Sequence, residues 1–151
     1  MEAVILCGVQ GSGKTTLYED RFAPTHVRVS LDVLRTRERE AELVQECLAA
    51  RRPFVVDNTN PTPPDRRRYL EPARAAGFRV VGYLVEIGDA EAVARNAVRA
   101  GPARVPVARV VGTARRLQRP APEEGFDELW HATAAPGGWR VEPLLTTPPL
   151  F

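Results

Sequence analysis

The residues best suited to chemistry lie in one short stretch near the start of the sequence. Gly8 and Gly13 bound the pattern G-x-x-x-x-G, which continues directly into Lys14 and Thr15. Glycines let successive backbone N–H groups point into one concavity, and a helix that starts there adds the positive end of its dipole. This arrangement suits the phosphates and Mg²⁺ of a nucleoside triphosphate. The residues expected to contact that ligand are Gly8, Gly11, Ser12, Gly13, Lys14, Thr15 and Thr16.

The composition supports this interpretation. Lys14 is the only lysine, beside 20 arginines. A compact ammonium on a flexible stem suits the β- and γ-phosphates, so the single lysine stands where that chemistry needs it. Serine and asparagine are also scarce, and two of the three asparagines, Asn58 and Asn60, lie close together. These exceptions to the bias are candidate functional positions.

Alternating strands and helices must position these residues. An apolar run at 4–7 precedes the glycines and a helical pattern follows from Thr16 to near Phe22, which is the strand–turn–helix context of a P-loop. Because this alternation continues, we predict a single α/β domain over residues 1–151, with a parallel sheet flanked by helices. The further predicted strands are 26–30, 54–58, 79–86, 126–133 and 138–143. The further predicted helices are 32–50, 65–76, 90–99 and one from Pro106, with a turn at 60–64.

Two carboxylates follow predicted strands, where the ligands of parallel sheets bind. Asp57 ends the strand 54–58 and could support Mg²⁺ through water, or it could serve a turn. Asp32 begins a helix and could accept a proton from a hydroxyl that attacks the γ-phosphate, or it could be an acid favoured by the helix dipole. Arg35 lies one turn beyond Asp32 and could hold a phosphate of the acceptor, or it could be a surface arginine.

Basic residues are unevenly distributed, although the net charge is only +2. Residues 66–68 are all arginine, and residues 95–119 contain seven arginines and no acid. Such stretches suit polyanions, and the alternative is a solvated helix face. Arg95 and Arg99 precede Gly101, so a helical lid over about 95–119 could present them to the transferring phosphoryl group; they could instead stabilise a helix C-terminus.

Other features bound the function without choosing it. The two cysteines, Cys7 and Cys47, have no metal-binding spacing and are expected to be buried free thiols, which fits a cytoplasmic protein. The first residues lead straight into a predicted strand, so we expect no signal peptide. No apolar run approaches the 18 residues that a membrane span needs.

Several motifs together resemble the polynucleotide 5′-hydroxyl kinase family, the kinase module of phage polynucleotide kinase and of the eukaryotic kinase–phosphatase. They cover most of the chain, from Val4 to about Leu129, and the most specific are DNTNP followed by RRRY. The matching segments are GVQGSGKTT at 8–16, SLDVLR at 30–35, VVDNTNP at 55–61, RRRYL at 66–70, RNAVR at 95–99, VPV at 105–107 and EEGFDEL at 123–129.

The resemblance implies an ATP- and Mg²⁺-dependent kinase that phosphorylates the 5′-OH end of DNA or RNA. It implies that Asp32 is the general base and that Arg99 touches the donor phosphates, as Arg95 beside it could. Arg35 would contact the acceptor phosphate, and the other expected acceptor contacts are Asn58, Arg66 and Arg68. Thr15 and Asp57 would serve the metal.

One departure concerns the acceptor side, because Ser30 and Leu31 stand where the family often has Asn-Arg. The substitution leaves the choice between DNA and RNA open. Two other functions also stay open at this point: a kinase of a small hydroxylated molecule such as a nucleoside, sugar or antibiotic, and a nucleotide-binding ATPase module without an acceptor. We expect no 3′-end processing from these residues.

Overall fold

The computed structural model describes residues 1–86 and 107–144. Strands and helices alternate through most of this length. The strands are β1 (Glu2–Cys7), β2 (Val27–Val29), β3 (Phe54–Asp57), β4 (Arg79–Val85), β5 (Glu128–Ala135) and β6 (Gly138–Pro143). The helices are α1 (Lys14–Arg21), α2 (Leu31–Leu34), α3 (Arg37–Ala49), α4 (Pro63–Ala75) and α5 (Val107–Arg116), with a short 3₁₀ turn at Pro122–Glu124.

The six strands form one sheet in the order β2-β3-β1-β4-β5-β6. The first five run parallel, with Val4 of β1 aligned between Val55 of β3 and Val81 of β4. β6 pairs antiparallel with β5. The predicted parallel α/β sheet is therefore confirmed, with one antiparallel strand added because a two-residue turn at Gly137 joins β5 to β6 as a hairpin.

Both faces of the sheet are covered. Ile5 and Val56 pack on one face with residues of α3 and α4, whereas Val4 and Val55 pack on the other face with Leu17 of α1. Successive residues of a strand point to opposite faces, and these strands are apolar at both sets of positions because both faces are buried. Because the first five strands are parallel, the polar residues that follow them lie along one edge of the sheet, at the carboxyl ends of the strands.

The predicted helix over 32–50 is wrong in one respect, because it is broken into α2 and α3. The break is at Arg35, whose φ of 76° lies in the left-handed region. The chain then restarts as α3, whose N-cap Thr36 accepts a hydrogen bond from the Arg39 amide at 3.2 Å. The apolar spacing runs through the break, so periodicity alone could not reveal it.

The helix predicted from Asp65 begins earlier, at Pro63. Thr62 is its N-cap and Asp65 its third residue, whose carboxylate accepts from the Thr62 amide at 3.2 Å. Proline is favoured at the first helical position because its missing N–H has no partner there in any case. The prolines at 63 and 64 therefore start a helix instead of extending the turn predicted at 60–64.

The helix predicted from Pro106 is confirmed by α5. The helix predicted over 90–99, with Arg95 and Arg99, lies outside the described residues, as do positions 145–151. Across the two described ranges, no helix is both long enough and apolar enough to cross a membrane. The free thiols of Cys7 and Cys47 are buried in the core, as predicted.

Candidate active site

The glycine-rich loop joins β1 to α1. Gly11 and Gly13 have φ values of 83° and 103°, which residues with a side chain rarely adopt. At Gly8 the constraint is space, since a Cβ there would lie 2.5 Å from the carbonyl oxygen of Val85. The Gly8 amide donates to the carbonyl of Thr59 at 3.0 Å, which ties the loop to the end of β3. The loop therefore packs against the ends of β3 and β4.

Lys14 is the first residue of α1, so its side chain starts at the positive end of the helix. Its ammonium donates to the carbonyl oxygens of Gly8 and Val9 at 2.9 and 2.8 Å, and the residue is only 8% exposed. The backbone N–H groups of the first turn of α1 lie at this same end of the helix. This combination of ammonium and backbone N–H groups is suited to phosphate oxygens, and the phosphate-binding role of Lys14 stays a prediction.

Thr15 and Asp57 lie together beside this loop. The Thr15 hydroxyl donates to Asp57 Oδ2 at 2.9 Å, and Arg28 of β2 donates to the same oxygen at 2.9 Å and to Thr15 Oγ1 at 3.2 Å. Hydroxyl and carboxylate oxygens are the ligands that Mg²⁺ prefers. Here they already bind one positively charged group, the Arg28 guanidinium. These residues therefore fit the metal side of a nucleotide site, although the role itself stays a prediction.

A metal centre held by protein side chains alone would need a cluster of several ligating residues. In the part of the chain that the structure describes, no group of three or more His, Cys, Asp or Glu side chains is placed to hold a metal ion. Mg²⁺ usually takes one or two protein ligands and completes its shell with water and substrate phosphates. Thr15 and Asp57 match that pattern, so the donor nucleotide would have to supply the remaining ligands.

Predicted residues of both the donor and the acceptor side line one cleft of about 990 Å³, although Arg66 and Arg68 are not part of its lining. The P-loop forms one side of it, and Asp32 of α2 and Arg35, which follows α2, line it together with Asp57 and Asn58. Positive charge is in excess along the lining. The cations are Lys14, Arg28, Arg35, Arg37, Arg109 and Arg116, and the carboxylates are Asp32, Asp57 and Asp65.

Helix α5 contacts the P-loop and contributes side chains to the lining of this cleft. Gln10 of the P-loop donates to the hydroxyl of Thr113 at 3.2 Å, and Thr113 is buried. Arg109 and Arg116 lie one turn to either side of Thr113 and reach the cleft lining. Part of the acid-free basic stretch predicted from the sequence therefore borders the nucleotide loop.

Asn58 has a different environment from the one expected of a substrate contact. Its oxygen accepts from the Leu31 amide at 3.0 Å, and its amide nitrogen donates to Glu40 at 2.8 Å and to the Tyr69 hydroxyl at 3.1 Å. Its polar groups are engaged by protein partners although it borders the cleft. The structure thus favours a structural role for the Asn58 side chain.

The structure contradicts Arg66 as an acceptor contact. Arg66 is fully buried, and its guanidinium donates to both carboxylate oxygens of Glu124 at 2.8 and 3.0 Å and to the carbonyl of Asn60 at 2.9 Å. Three adjacent arginines on a helix point in different directions, so Arg66 turns inward while Arg67 and Arg68 stay exposed. Arg68 keeps its expected role as a prediction.

Sequence reasoning missed three residues around the site: Arg28, Glu40 and Tyr69. Arg28 gave a weak signal, because an arginine inside the apolar strand β2 needs a partner. Glu40 is 1% exposed although it lies in a run of charged residues that resembles a solvated helix face. Tyr69 donates to Glu40 at 2.7 Å, and burial together with this bond raises the pKa of Tyr69 to about 12.

Comparison with known proteins agrees with this geometry. The protein-family model described as "AAA domain" matches residues 4–120 of this chain. A bifunctional polynucleotide phosphatase/kinase of Schizosaccharomyces pombe is 29% identical over 134 residues, covering 85% of this chain and 32% of the relative. The resemblance drawn from the motifs is thereby confirmed. The chain spans about a third of the length of the curated relatives it matches.

Two solved kinase structures share the fold. A gluconokinase from Sinorhizobium meliloti has a TM-score of 0.62 at 20% identity, with 87% of this chain and 82% of that chain covered. A sugar kinase from Janibacter has a TM-score of 0.65 at 18% identity, with coverage of 87% and 85%. At this identity the likeness establishes the architecture of a P-loop kinase and does not extend to the acceptor.

Proposed function

The chain belongs to the AAA-domain family of P-loop proteins, and on that premise we propose that it is an ATP-dependent polynucleotide 5′-hydroxyl kinase. The observation that carries the proposal is the shared cleft, in which a phosphate-binding loop and the carboxylate of Asp32 line one cationic cavity. A kinase needs a held triphosphate and a base for the incoming hydroxyl, and both groups are available along this lining.

On the donor side, the loop amides and the Lys14 ammonium bind the β- and γ-phosphates of ATP. Their positive charge stabilises the negative charge that builds on the γ-phosphoryl group during transfer. Thr15, and Asp57 through water, would hold Mg²⁺, which neutralises phosphate charge when bound. Arg99, together with Arg95, is proposed to contact the donor phosphates, as the family resemblance implies.

On the acceptor side, Asp32 accepts the proton of the 5′-hydroxyl. The freed oxygen forms a bond to the γ-phosphorus as the bond from that phosphorus to the β,γ-bridging oxygen breaks, and ADP leaves. Arg35 contacts a phosphate of the acceptor strand, and Arg68, Arg109 and Arg116 add positive charge along its path. Asp32 is exposed, so a strand end can approach it from solution.

The excess of cations favours a polyanionic acceptor over a small neutral one. Arg28 and Arg37 pair with Asp57 and Glu40. Lys14 is assigned to the triphosphate, so Arg35, Arg109 and Arg116 are the lining cations available to acceptor phosphates. Arginines that contact successive phosphates release counterions, so we propose that the KM for the oligonucleotide rises steeply with salt. The names of the curated relatives point to the same substrate class. The buried free cysteines suit the reducing cytoplasm, which we propose as the compartment.

The test is transfer of label from γ-labelled ATP. A 5′-hydroxyl oligonucleotide is the acceptor, the same oligonucleotide with a 5′-phosphate is its matched control, and ADP release is followed in parallel. We expect label on the first oligonucleotide alone. ADP release with no labelled oligonucleotide would support an ATPase module, and label on gluconate or a nucleoside instead would support a small-molecule kinase.

A further inference from the structure

Helix α2 carries Asp32 but is too short to hold itself in place. It comprises only Leu31–Leu34, and an isolated helical turn is unstable because nucleation costs more than one turn returns. Its N-cap residue Ser30 makes no side-chain capping bond, and the buried Ser30 hydroxyl has no hydrogen-bond partner among the described residues. Arg35 ends the helix in the left-handed region. The position of Asp32 must therefore be set from outside α2.

That support comes from Asn58 at the end of β3. Asn58 Oδ1 accepts from the amide of Leu31, the first residue of α2, at 3.0 Å. This bond does what an N-cap side chain normally does, although the oxygen comes from a residue 27 positions later in the chain. The carboxylate of Asp32 follows one residue after the amide that is held.

Glu40 fixes the orientation of the Asn58 amide. A carboxylate only accepts hydrogen bonds, so the Asn58 nitrogen must face Glu40 Oε2, which lies 2.8 Å away, and the Asn58 oxygen must face Leu31. Glu40 is itself held by the Tyr69 hydroxyl at 2.7 Å and by Arg37 at 2.9 Å. If the Asn58 side-chain amide were flipped, its NH₂ group would face the Leu31 N–H and its oxygen would face the Glu40 carboxylate.

We propose that Glu40 is a positioning residue for Asp32. Buried on α3 beneath the cleft, it orients Asn58, which in turn holds the first amide of α2 and thereby the proposed catalytic carboxylate. The chain of contacts uses residues of α3 and α4 and the residue that follows β3, and none of these side chains needs to touch ATP or the acceptor. The link to catalysis rests on the proposed kinase function, whereas the structural link does not.

Reversing the polarity of the Glu40–Asn58 bond tests the proposal. Asn58→Asp leaves two carboxylates about 2.8 Å apart, and we expect a loss of kcat of roughly 10–10²-fold from misplacement of Asp32. In the double variant Glu40→Gln/Asn58→Asp, the glutamine amide can donate to the new aspartate, whose other oxygen still accepts from Leu31. We expect this double variant to recover at least about tenfold of the loss.

A second readout is independent of the reaction: hydrogen exchange of the Leu31 backbone amide, followed by NMR. Protection should fall about tenfold in Asn58→Asp and return in the double variant. Val81→Ala, in the core on the other face of the sheet, is the control that loosens the core away from this network. It should leave kcat and Leu31 protection unchanged. Nucleotide binding should stay within about twofold of wild type in every variant, because the P-loop is untouched.

The outcomes separate the two claims. Unchanged Leu31 protection in Asn58→Asp, or a double variant as slow as Asn58→Asp, overturns the positioning role of Glu40. Lost protection with wild-type kcat overturns its link to Asp32. Should Asn58→Asp fail to fold, Asn58→Ala removes the same cap without adding charge, and the same two readouts decide. Absence of transfer in the wild type counts against the kinase proposal alone, since amide exchange still tests the network.

Discussion

The donor and acceptor halves of the cleft are built in opposite ways. The phosphate-binding part of the donor half lies within residues 8–16, in which a glycine turn and a helix start are neighbours in sequence. The acceptor half depends on α2, which is held by Asn58, Glu40 and Tyr69 from three separate elements. A local motif can be recognised from sequence, whereas a site assembled from distant positions can be recognised only once the fold is known.

The largest effect should come from the donor half. Lys14→Ala removes the only ammonium in the loop, so both phosphate transfer and any ATP hydrolysis should fall below detection. Initial rates of labelled product and of ADP release measure the two reactions. Ordinary ADP release from Lys14→Ala would mean that the loop does not act on the γ-phosphate, and the contrast between the two halves would lose its basis.

The acceptor half should respond more selectively. Asp32→Ala should lower transfer by roughly 10²–10⁴-fold, the usual contribution of a general base, while ATP binding is retained. Glu38→Ala is the matched control, because Glu38 is a nearby exposed acid at the start of α3 and does not line the cleft. Wild-type transfer by Asp32→Ala would mean that Asp32 only stabilises its helix dipole.

A smaller effect, on stability, should distinguish two adjacent arginines. Arg66→Met leaves the largely buried carboxylate of Glu124 unpaired, so the free energy of unfolding should fall by about 3–5 kcal/mol. Arg67 is exposed, so Arg67→Met should change the free energy of unfolding by less than about 0.5 kcal/mol. Urea denaturation measures both. Equal effects would show that the Arg66–Glu124 pair does not hold α4 against the 3₁₀ turn.

Much of the fold followed from the sequence because apolar runs and glycine or proline punctuation are local signals. The errors fall where local signals conflict with distant contacts. The apolar pattern continues through Arg35, so the break that separates α2 from α3 could not be predicted from it. Arg66 looked like part of a basic surface because nothing nearby in sequence reveals Glu124, 58 residues later, as its partner. Glu40 was hidden for the same reason.

The acceptor itself is the central claim, and its most direct test compares kcat/KM for two acceptors at low salt. One is a single-stranded oligonucleotide with a 5′-hydroxyl, and the other is the nucleoside that matches its first residue. Because Arg35 and the arginines of α5 are assigned to strand phosphates, we predict a kcat/KM for the oligonucleotide at least about 10²-fold higher, with the ratio falling as salt rises. Equal values, independent of salt, would contradict a polynucleotide acceptor and leave a small-molecule kinase in its place.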